Sequence, residues 1–215
     1  MRPEQLTVFV IDDDAAVRDS IALMLGLAGY RTSVFADAEA FLAAWKADWA
    51  GCVVADVRLP GQSGVELQDA LRKRAISLPF VIITAHGDVA TARAAFRSQA
   101  VDFLEKPFDN AQLFAAIETA FGLEEHRIQR DEGQRSDSEK LARLTARERQ
   151  VLEQAALGLH AKEIGATLGI SPRTVEVHKT RIMEKLGVRN VAELVRFALA
   201  APSFDGKSKP NGRRP

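Results

Sequence analysis

The sequence has few of the features that mark secreted or membrane proteins. It contains one cysteine in 215 residues, Cys52, which cannot form an internal disulfide and is typical of a reducing compartment. The longest uninterrupted apolar run, Ile21 to Tyr30, has ten residues, about half of a membrane-spanning helix. The amino terminus runs from Arg2 through the apolar stretch Val8 to Ile11 into three aspartates, so we expect no signal peptide. We therefore expect a cytoplasmic protein without a membrane partner.

The chain also has no net charge, but its charges are unevenly distributed. Residues 1–122 hold 11 basic and 16 acidic side chains, a net charge of −5. Residues 141–201 hold 10 basic and 6 acidic side chains, and residues 202–215 hold 4 and 1. An acidic front and a basic back favour two domains with different partners, the second a polyanion.

The front part alternates two kinds of pattern. Short runs rich in Val, Ile and Phe predict strands at Thr7–Ile11, Thr32–Phe35, Cys52–Ala55, Phe80–Thr84 and Val101–Leu104. Amphipathic stretches between and after them predict helices at Ala15–Ala28, Ala38–Ala47, Gly64–Arg74, Val89–Ser98 and Ala111–Phe121. Five repeats of strand and helix imply an α/β domain over residues 1–122, a doubly wound parallel sheet covered on both faces.

The remainder of the chain is purely helical in pattern. Residues 123–140 are polar and predict a partly helical linker. Residues 141–201 predict a four-helix domain, and residues 202–215 a disordered basic tail. Three signals mark the helices of residues 141–201. Thr145 and Glu148 form a capping box, Ser171 caps a longer helix, and glycines stand where helices end.

Functional side chains of the front domain follow the strands. Asp12 and Asp13 follow the first strand, Asp56 ends the third, Thr84 ends the fourth and Lys106 follows the fifth. Parallel strands bring these residues to one edge, where crowded carboxylates and the lack of Cys or His favour bound Mg²⁺. The chemistry they permit is phosphoryl transfer to a carboxylate, with Asp56 as nucleophile, Lys106 as counter-charge and Thr84 bonding the phosphate.

The segments IDDD, VVADVRLPGQSG, ITAHGD and DFLEKPF resemble the motifs of bacterial two-component receiver domains, which have a flavodoxin-like five-stranded fold. The resemblance implies that Asp56 accepts a phosphoryl group from a sensor histidine kinase. It also implies that Asp12, Asp13 and the backbone carbonyl of Arg58 join Asp56 in holding Mg²⁺.

The same resemblance assigns a switch. Thr84 and Phe103 would move inward when phosphate arrives, and Lys106-Pro107 would be a cis peptide. Phe103 stands where many relatives have tyrosine. Each of these residues also has an ordinary interpretation when taken alone. Thr84 fits a strand, Lys106 a solvated surface and Phe103 the core, and an aspartate such as Asp56 is common in turns. Their order at successive strand ends favours the receiver interpretation.

The pattern of the back domain predicts a short helix at Ala161–Leu168, a turn at Gly169 and a longer helix at Pro172–Leu186, the order of a helix-turn-helix. Periodicity alone also fits an ordinary amphipathic helix with a solvated basic face. The segments LTARE, KEIG, LGIS and SPRTVEVH resemble the LuxR/NarL class of DNA-binding domains. Receiver, linker and this module together resemble the FixJ/NarL group of response regulators, and TAHGD with SPRTVEVH resembles its FixJ branch.

This resemblance predicts DNA contacts on the longer helix. The residues expected to face bases are Glu176, Val177 and Thr180, and those expected to face phosphates are Lys162, Thr174, Lys179 and Arg181. Glu176 stands where some relatives have lysine, so the base preference stays open. A homodimer formed on phosphorylation would read an inverted repeat in double-stranded DNA.

Two other functions also fit parts of this sequence. Asp12 and Asp14 suggest a phosphatase with an aspartyl nucleophile, but that class needs threonine where Ala16 stands. The other is a phosphate-independent DNA-binding protein whose receiver serves only as a dimerisation scaffold. The intact acidic pocket counts against it. We therefore expect a regulator and not a stand-alone enzyme.

Overall fold

The computed structural model describes residues 6–85 and 99–200. The predicted helix at Val89–Ser98 and the predicted tail at 202–215 lie outside these ranges. The chain divides into two compact units, Met1–Ile128 and Gln129–Pro215, and each is described by itself. The domain boundaries predicted from the sequence stay predictions.

The first unit is built on one parallel sheet. Its strands are β1 Thr7–Ile11, β2 Arg31–Phe35, β3 Gly51–Asp56, β4 Phe80–Thr84 and β5 Asp102–Glu105. They lie in the order β2-β1-β3-β4-β5, and every neighbouring pair is parallel. Predicted and observed strands agree to within one residue at each end, which confirms the doubly wound α/β fold.

The central strand shows why these runs are apolar throughout. All six residues of β3 are buried, because helices cover both faces of the sheet. Cys52 and Val54 pack into one core cluster together with Ile21 and Leu25 of the first helix. Val53 and Ala55 point to the other face and pack into a second cluster. This alternation holds β3 rigidly and fixes where Asp56 emerges at its end.

Eight helices lie within the described residues. Their bounds are α1 Ala15–Leu27, α2 Ala38–Ala44, α3 Gly64–Lys73, α4 Asn110–Ala142, α5 Ala146–Ala156, α6 Ala161–Leu168, α7 Pro172–Leu186 and α8 Val191–Ala200. Asp14, Asp37 and Ser63 cap the first three with side-chain oxygens that accept backbone N–H groups. No helix among the described residues is long and apolar enough to cross a membrane.

Helix α4 extends further than the sequence predicts. Its helical backbone includes the whole of residues 123–140, where we expected only partial helix. Ion pairs three residues apart support this polar stretch: Arg127 Nε lies 2.7 Å from Glu124, and Lys140 Nζ lies 3.5 Å from Asp137. A helix supported by such pairs does not need an apolar face over its full length.

The second unit packs α5 to α8 around its own core, as the sequence predicts. Val151, Leu152, Ile164 and Val175 are fully buried there. The predicted capping box is present, since Thr145 accepts the N–H of Glu148 and the Glu148 carboxylate accepts the N–H of Thr145. The second domain is therefore an all-α helix-turn-helix arrangement.

Candidate functional site

Two buried carboxylates meet one lysine at the carboxyl edge of the sheet. Asp12 follows β1 and is 1% exposed, and Asp56 ends β3 and is 7% exposed. Lys106 Nζ lies 2.6 Å from Asp12 Oδ2 and 2.5 Å from Asp56 Oδ2. The strand order places β1 and β3 side by side, so the two aspartates are neighbours as the sequence predicts.

The other oxygen of each carboxylate is held by the backbone. Asp12 Oδ1 accepts the N–H of Asp14 at 3.0 Å, and Asp56 Oδ1 accepts the N–H of Arg58 at 2.9 Å. Arg18 Nη1 donates to the carbonyl of Asp12 at 2.6 Å, which fixes the turn after β1. The pocket is thus preorganised, with two carboxylates facing a single ammonium group.

The charge of Lys106 is stabilised by these carboxylates. Partial burial lowers its pKa, but the hydrogen bonds and attraction of Asp12 and Asp56 outweigh burial and raise the pKa above its ordinary value. Lys106 is joined to Pro107 by a cis peptide bond, as the resemblance predicts, and its N–H donates to the Thr84 carbonyl at 2.7 Å. The lysine therefore stays protonated at neutral pH.

The two predicted switch residues lie on adjacent strands beside this pocket. Thr84 ends β4 and is buried. Phe103 pairs with Ile82 across the β4–β5 register and packs against the core cluster on the α2 and α3 face of the sheet. Lys106 follows β5 directly, so the strand that carries Phe103 also positions the lysine.

The donor chemistry of this edge fits Mg²⁺. Asp13 and Arg58 have exposed side chains next to the buried pair, and carboxylate and carbonyl oxygens are the donors that Mg²⁺ prefers. The two buried carboxylates exceed the single ammonium by one negative charge, which a cation would balance. No three His, Cys, Asp or Glu side chains within residues 6–85 and 99–200 form a ready-made metal cluster.

In the second unit, short-range contacts fix the turn between α6 and α7. Gly169 ends α6 at φ 67°, and Ser171 caps α7 by accepting the N–H of Thr174 at 3.0 Å. A Cβ on Gly165 would lie 2.7 Å from the Ile170 carbonyl oxygen, so only glycine lets the turn pack onto α6. A guanidinium N–H of Arg147 donates to the Leu168 carbonyl at the end of α6.

An ion pair between a buried carboxylate on α5 and a partly exposed lysine on α7 joins the two helices. Glu148 is 3% exposed, and Lys185 Nζ donates to its Oε2 at 2.6 Å. Burial raises the pKa of Glu148, but the hydrogen bonds from Lys185 and Thr145 outweigh burial and lower the pKa to about 2. The same ammonium lies 3.3 Å from the Arg143 carbonyl. This pair holds α7 at a fixed place on the domain.

The structure exposes most of the predicted DNA contacts. The exposed residues are Lys162, Thr174, Glu176, Val177, Thr180 and Arg181. Lys179 differs, because it is only 8% exposed and its Nζ lies 3.1 Å from Glu176 Oε1. The reason is helical spacing: Lys179 lies four residues after Val175 and three before Ile182, on the buried stripe of α7.

Comparison with known families accounts for both units. Residues 8–118 match the response regulator receiver domain, and residues 142–198 match the bacterial regulatory proteins of the luxR family. The chain belongs to the two-component response regulators with a LuxR-type DNA-binding domain. The receiver implies a kinase partner, and the second domain implies DNA binding and transcription regulation.

Curated relatives of this response regulator are transcriptional regulators, which supports a regulator and not a stand-alone enzyme. The transcriptional regulatory protein FixJ of Azorhizobium caulinodans is 44% identical over 93% of this chain and 94% of its own length. The transcriptional regulatory protein TdiR of Thauera aromatica is 38% identical over 92% and 87%. The predicted FixJ/NarL membership is confirmed.

Solved structures agree with this assignment. The structure of the response regulator StyR matches this chain with a TM-score of 0.81 and 41% sequence identity. The match covers 91% of this chain and 98% of the StyR chain. Full-length FixJ from B. japonicum has a TM-score of 0.56 and 42% identity, covering 91% and 96%.

Three residues of the response regulator's two sites were not singled out from the sequence. Arg147 and Lys185 reach across helices to Leu168 and Glu148, and spacing along one helix gives no signal for such contacts. Arg18 reaches back to the carbonyl of Asp12, six residues earlier. A signal for the burial of Lys179 was present in the spacing of α7.

Proposed function

We propose that Asp56 is the phosphoacceptor of this regulator and that a sensor histidine kinase phosphorylates it in the presence of Mg²⁺. The observation that carries the proposal is the shared contact of Lys106 with the buried carboxylates of Asp12 and Asp56. A receiver domain implies such a kinase partner. Since DNA is the target of the second domain, the proposal places the protein in the cytoplasm.

Each residue of the pocket has its own role in phosphoryl transfer. A carboxylate oxygen of Asp56 forms a bond to phosphorus while the phosphorus–nitrogen bond of the kinase phosphohistidine breaks and the imidazole leaves. Lys106 balances charge on the phosphoryl oxygens, and the N–H of Arg58 holds the Asp56 carboxylate in place. Asp12, Asp13, Asp56 and the Arg58 carbonyl would hold Mg²⁺, which supplies further positive charge to the phosphoryl oxygens.

The new phosphate is proposed to act through the adjacent strands. The Thr84 hydroxyl turns to the phosphoryl oxygens, and Phe103 moves into the space that this leaves. The altered receiver surface promotes a homodimer, whose two α7 helices read an inverted repeat with half-sites about 34 Å apart. The coupling is supported by the presence of both domains in one chain.

Intact mass spectrometry tests the phosphorylation site. Wild type, Asp56→Asn and Asp37→Asn are incubated with Mg²⁺ and either acetyl phosphate or phosphoramidate. Asp37→Asn is the matched control, because among the described residues Asp37 caps α2 without a hydrogen bond or ion pair to Asp12, Asp56 or Lys106, and asparagine also caps helices. We expect one phosphoryl group on wild type and on the control, and none on Asp56→Asn.

Two results would overturn the proposal. Phosphoryl groups on Asp56→Asn would place the acceptor elsewhere, and wild type unmodified by both donors would favour a receiver that serves only as a scaffold. The coupling is tested next with a duplex selected from randomised DNA. We expect phosphorylated wild type to bind it more tightly than the unphosphorylated form, and equal affinity would remove the coupling.

A further inference from the structure

A buried lysine lies under the DNA-facing surface of α7. Lys179 belongs to the stripe that also contains Val175, Ile182 and Leu186, and this stripe packs into the core of the second unit. Its side chain is 10% exposed, whereas that of Glu176 is 59% exposed. A lysine on a core-facing stripe needs a partner, because an ammonium group removed from water without one is strongly unfavourable.

Glu176 supplies that partner. Lys179 Nζ lies 3.1 Å from Glu176 Oε1, and within residues 6–85 and 99–200 the lysine has no other hydrogen-bond acceptor. The ammonium is therefore turned toward a neighbour on its own helix. The carbonyl of Glu176 also accepts the Thr180 hydroxyl at 3.1 Å.

The pair changes what Glu176 can do next to DNA. A lone carboxylate on this surface would be repelled by phosphates. With Lys179 beneath it, the pair carries no net charge and one carboxylate oxygen is fixed. The second oxygen, Oε2, can accept a hydrogen bond from an amino group on a base edge, and cytosine N4 is the usual donor to glutamate in the major groove.

We propose that Lys179 is a positioning residue for base recognition, acting through Glu176, and not a phosphate contact. The proposal rests on DNA binding through α7, as set out above. Lys179 neutralises the carboxylate and restricts its rotamers, so that Glu176 favours a cytosine amino group at one position of each half-site. This assigns to Lys179 a role different from the one that the sequence predicts.

Base preference and salt dependence together test the proposal. The full-length phosphorylated protein selects duplexes from randomised double-stranded DNA, and affinities are then measured for each base at each position. Lys179→Met keeps an apolar stem on the buried stripe while removing the charge. We expect its preference at one position to fall about tenfold. In the Glu176→Gln background, where no lone carboxylate is left to face phosphates, Lys179→Met should leave the slope of log Kd against log salt unchanged.

Lys162→Gln is the matched control for a phosphate contact, because Lys162 is exposed on α6. We expect it to weaken binding alike for all sequences and to reduce the salt slope by about 0.9. Glu176→Gln should lose the same base preference as Lys179→Met. The base preference of the double variant should fall about tenfold and not a hundredfold, because both substitutions remove the same interaction.

The outcomes separate the alternatives. A salt slope that Lys179→Met reduces in the Glu176→Gln background, as Lys162→Gln does in wild type, would make Lys179 a phosphate contact. If Lys179→Met keeps the base preference of wild type at every position, Lys179 has a purely structural role. If Lys179→Met does not fold, unchanged preference in Glu176→Gln overturns the proposal. If wild type enriches no sequence at all, the proposed function fails, and this inference fails with it.

Discussion

Each unit of the chain buries a carboxylate beside a lysine, but the charges balance differently. In the receiver, Asp12 and Asp56 share Lys106, so two negative charges meet one positive charge. In the DNA-binding unit, Glu148 alone pairs with Lys185 and also caps α5 through the N–H of Thr145. The first arrangement has an excess of negative charge at a sheet edge, and the second is neutral between two helices.

The difference in charge distinguishes the pocket that we propose to accept a phosphoryl group from an ion pair that joins two helices. A surplus carboxylate attracts a cation and can act as a nucleophile, because its charge is not fully compensated. A balanced pair that caps a helix gains nothing from a further ligand. Removing Lys185 would leave the buried Glu148 carboxylate without its cation. The four predictions below test this contrast, in order of decreasing effect.

The largest expected effect concerns the backbone beside each site. A Cβ on Gly64 would lie 2.3 Å from the Asp56 carbonyl oxygen, and one on Gly165 would lie 2.7 Å from that of Ile170. We expect Gly64→Ala to destabilise the receiver by about 3 kcal/mol and Gly165→Ala to destabilise the second unit by about 2 kcal/mol.

Hydrogen exchange read by mass spectrometry assigns each loss to its unit. Both tryptophans, Trp45 and Trp49, lie in the receiver, so their fluorescence reports that unit independently. Gly26→Ala is the control, since nothing lies within 4 Å of the added methyl group. Equal losses in both units from either change would contradict the division of the chain into two units.

The next effect is the loss of the balanced pair. Glu148→Gln should destabilise the DNA-binding unit by about 2 kcal/mol, because a buried charge-assisted hydrogen bond to Lys185 is lost. Urea unfolding followed by circular dichroism measures the change. Glu153→Gln, on the exposed face of the same helix, should alter stability by less than about 0.5 kcal/mol.

The pH dependence of this effect follows from the low pKa of Glu148. Its contribution is complete above the unfolded pKa of about 4.3 and is lost as pH falls through the folded value of about 2. The difference between wild type and Glu148→Gln should therefore shrink between these pH values. If the difference in stability between wild type and Glu148→Gln stays constant over this range, the ion pair does not lower the pKa of Glu148.

A smaller effect comes from Mg²⁺, which should act on the unbalanced site alone. At about ten times Kd, Mg²⁺ should stabilise the receiver by about 1.4 kcal/mol. Thermal unfolding monitored by tryptophan fluorescence measures this shift, and the DNA-binding unit should not respond. Asp13→Asn should reduce the shift, whereas Asp37→Asn should retain it. Equal stabilisation of both units would mean that the charge surplus does not select the ion.

The smallest effect concerns a carboxylate contact that involves no lysine. Tyr30 Oη donates to Glu118 Oε1 at 2.5 Å on the receiver. Burial, followed by the hydrogen bond and charge of Glu118, raises the pKa of Tyr30 to about 12. Glu118→Gln should lower the pKa of Tyr30, though not to the ordinary value, because burial remains. The substitution should lower the free energy of unfolding by about 0.5 kcal/mol.

Ultraviolet titration is specific here, since Tyr30 is the only tyrosine. The raised pKa means that this contribution to stability is complete below about pH 10 and is lost as pH rises through about 12. A titration midpoint that is the same in wild type and Glu118→Gln would show that the contact does not form in solution.

Local patterns were enough to predict most elements. The strands Thr7–Ile11 and Phe80–Thr84 and the helix Ala161–Leu168 have the predicted bounds, because buried parallel strands are apolar throughout and glycine ends a helix. The Ser171 cap and Pro172 likewise set the start of α7. The extent of α4 was less predictable, because ion pairs and not an apolar face support its polar part.

The chemistry of the chain can be read from its sequence: which carboxylates end strands, which lysine follows β5, and which helix is basic. The pairing of charges depends on the fold, since only the fold brings Lys106 to both Asp12 and Asp56, and Lys185 to Glu148. The burial of Lys179, in contrast, follows from the spacing of α7. Strand order and helix packing join residues far apart in the chain, and periodicity along a single element carries no information about which charges they bring together.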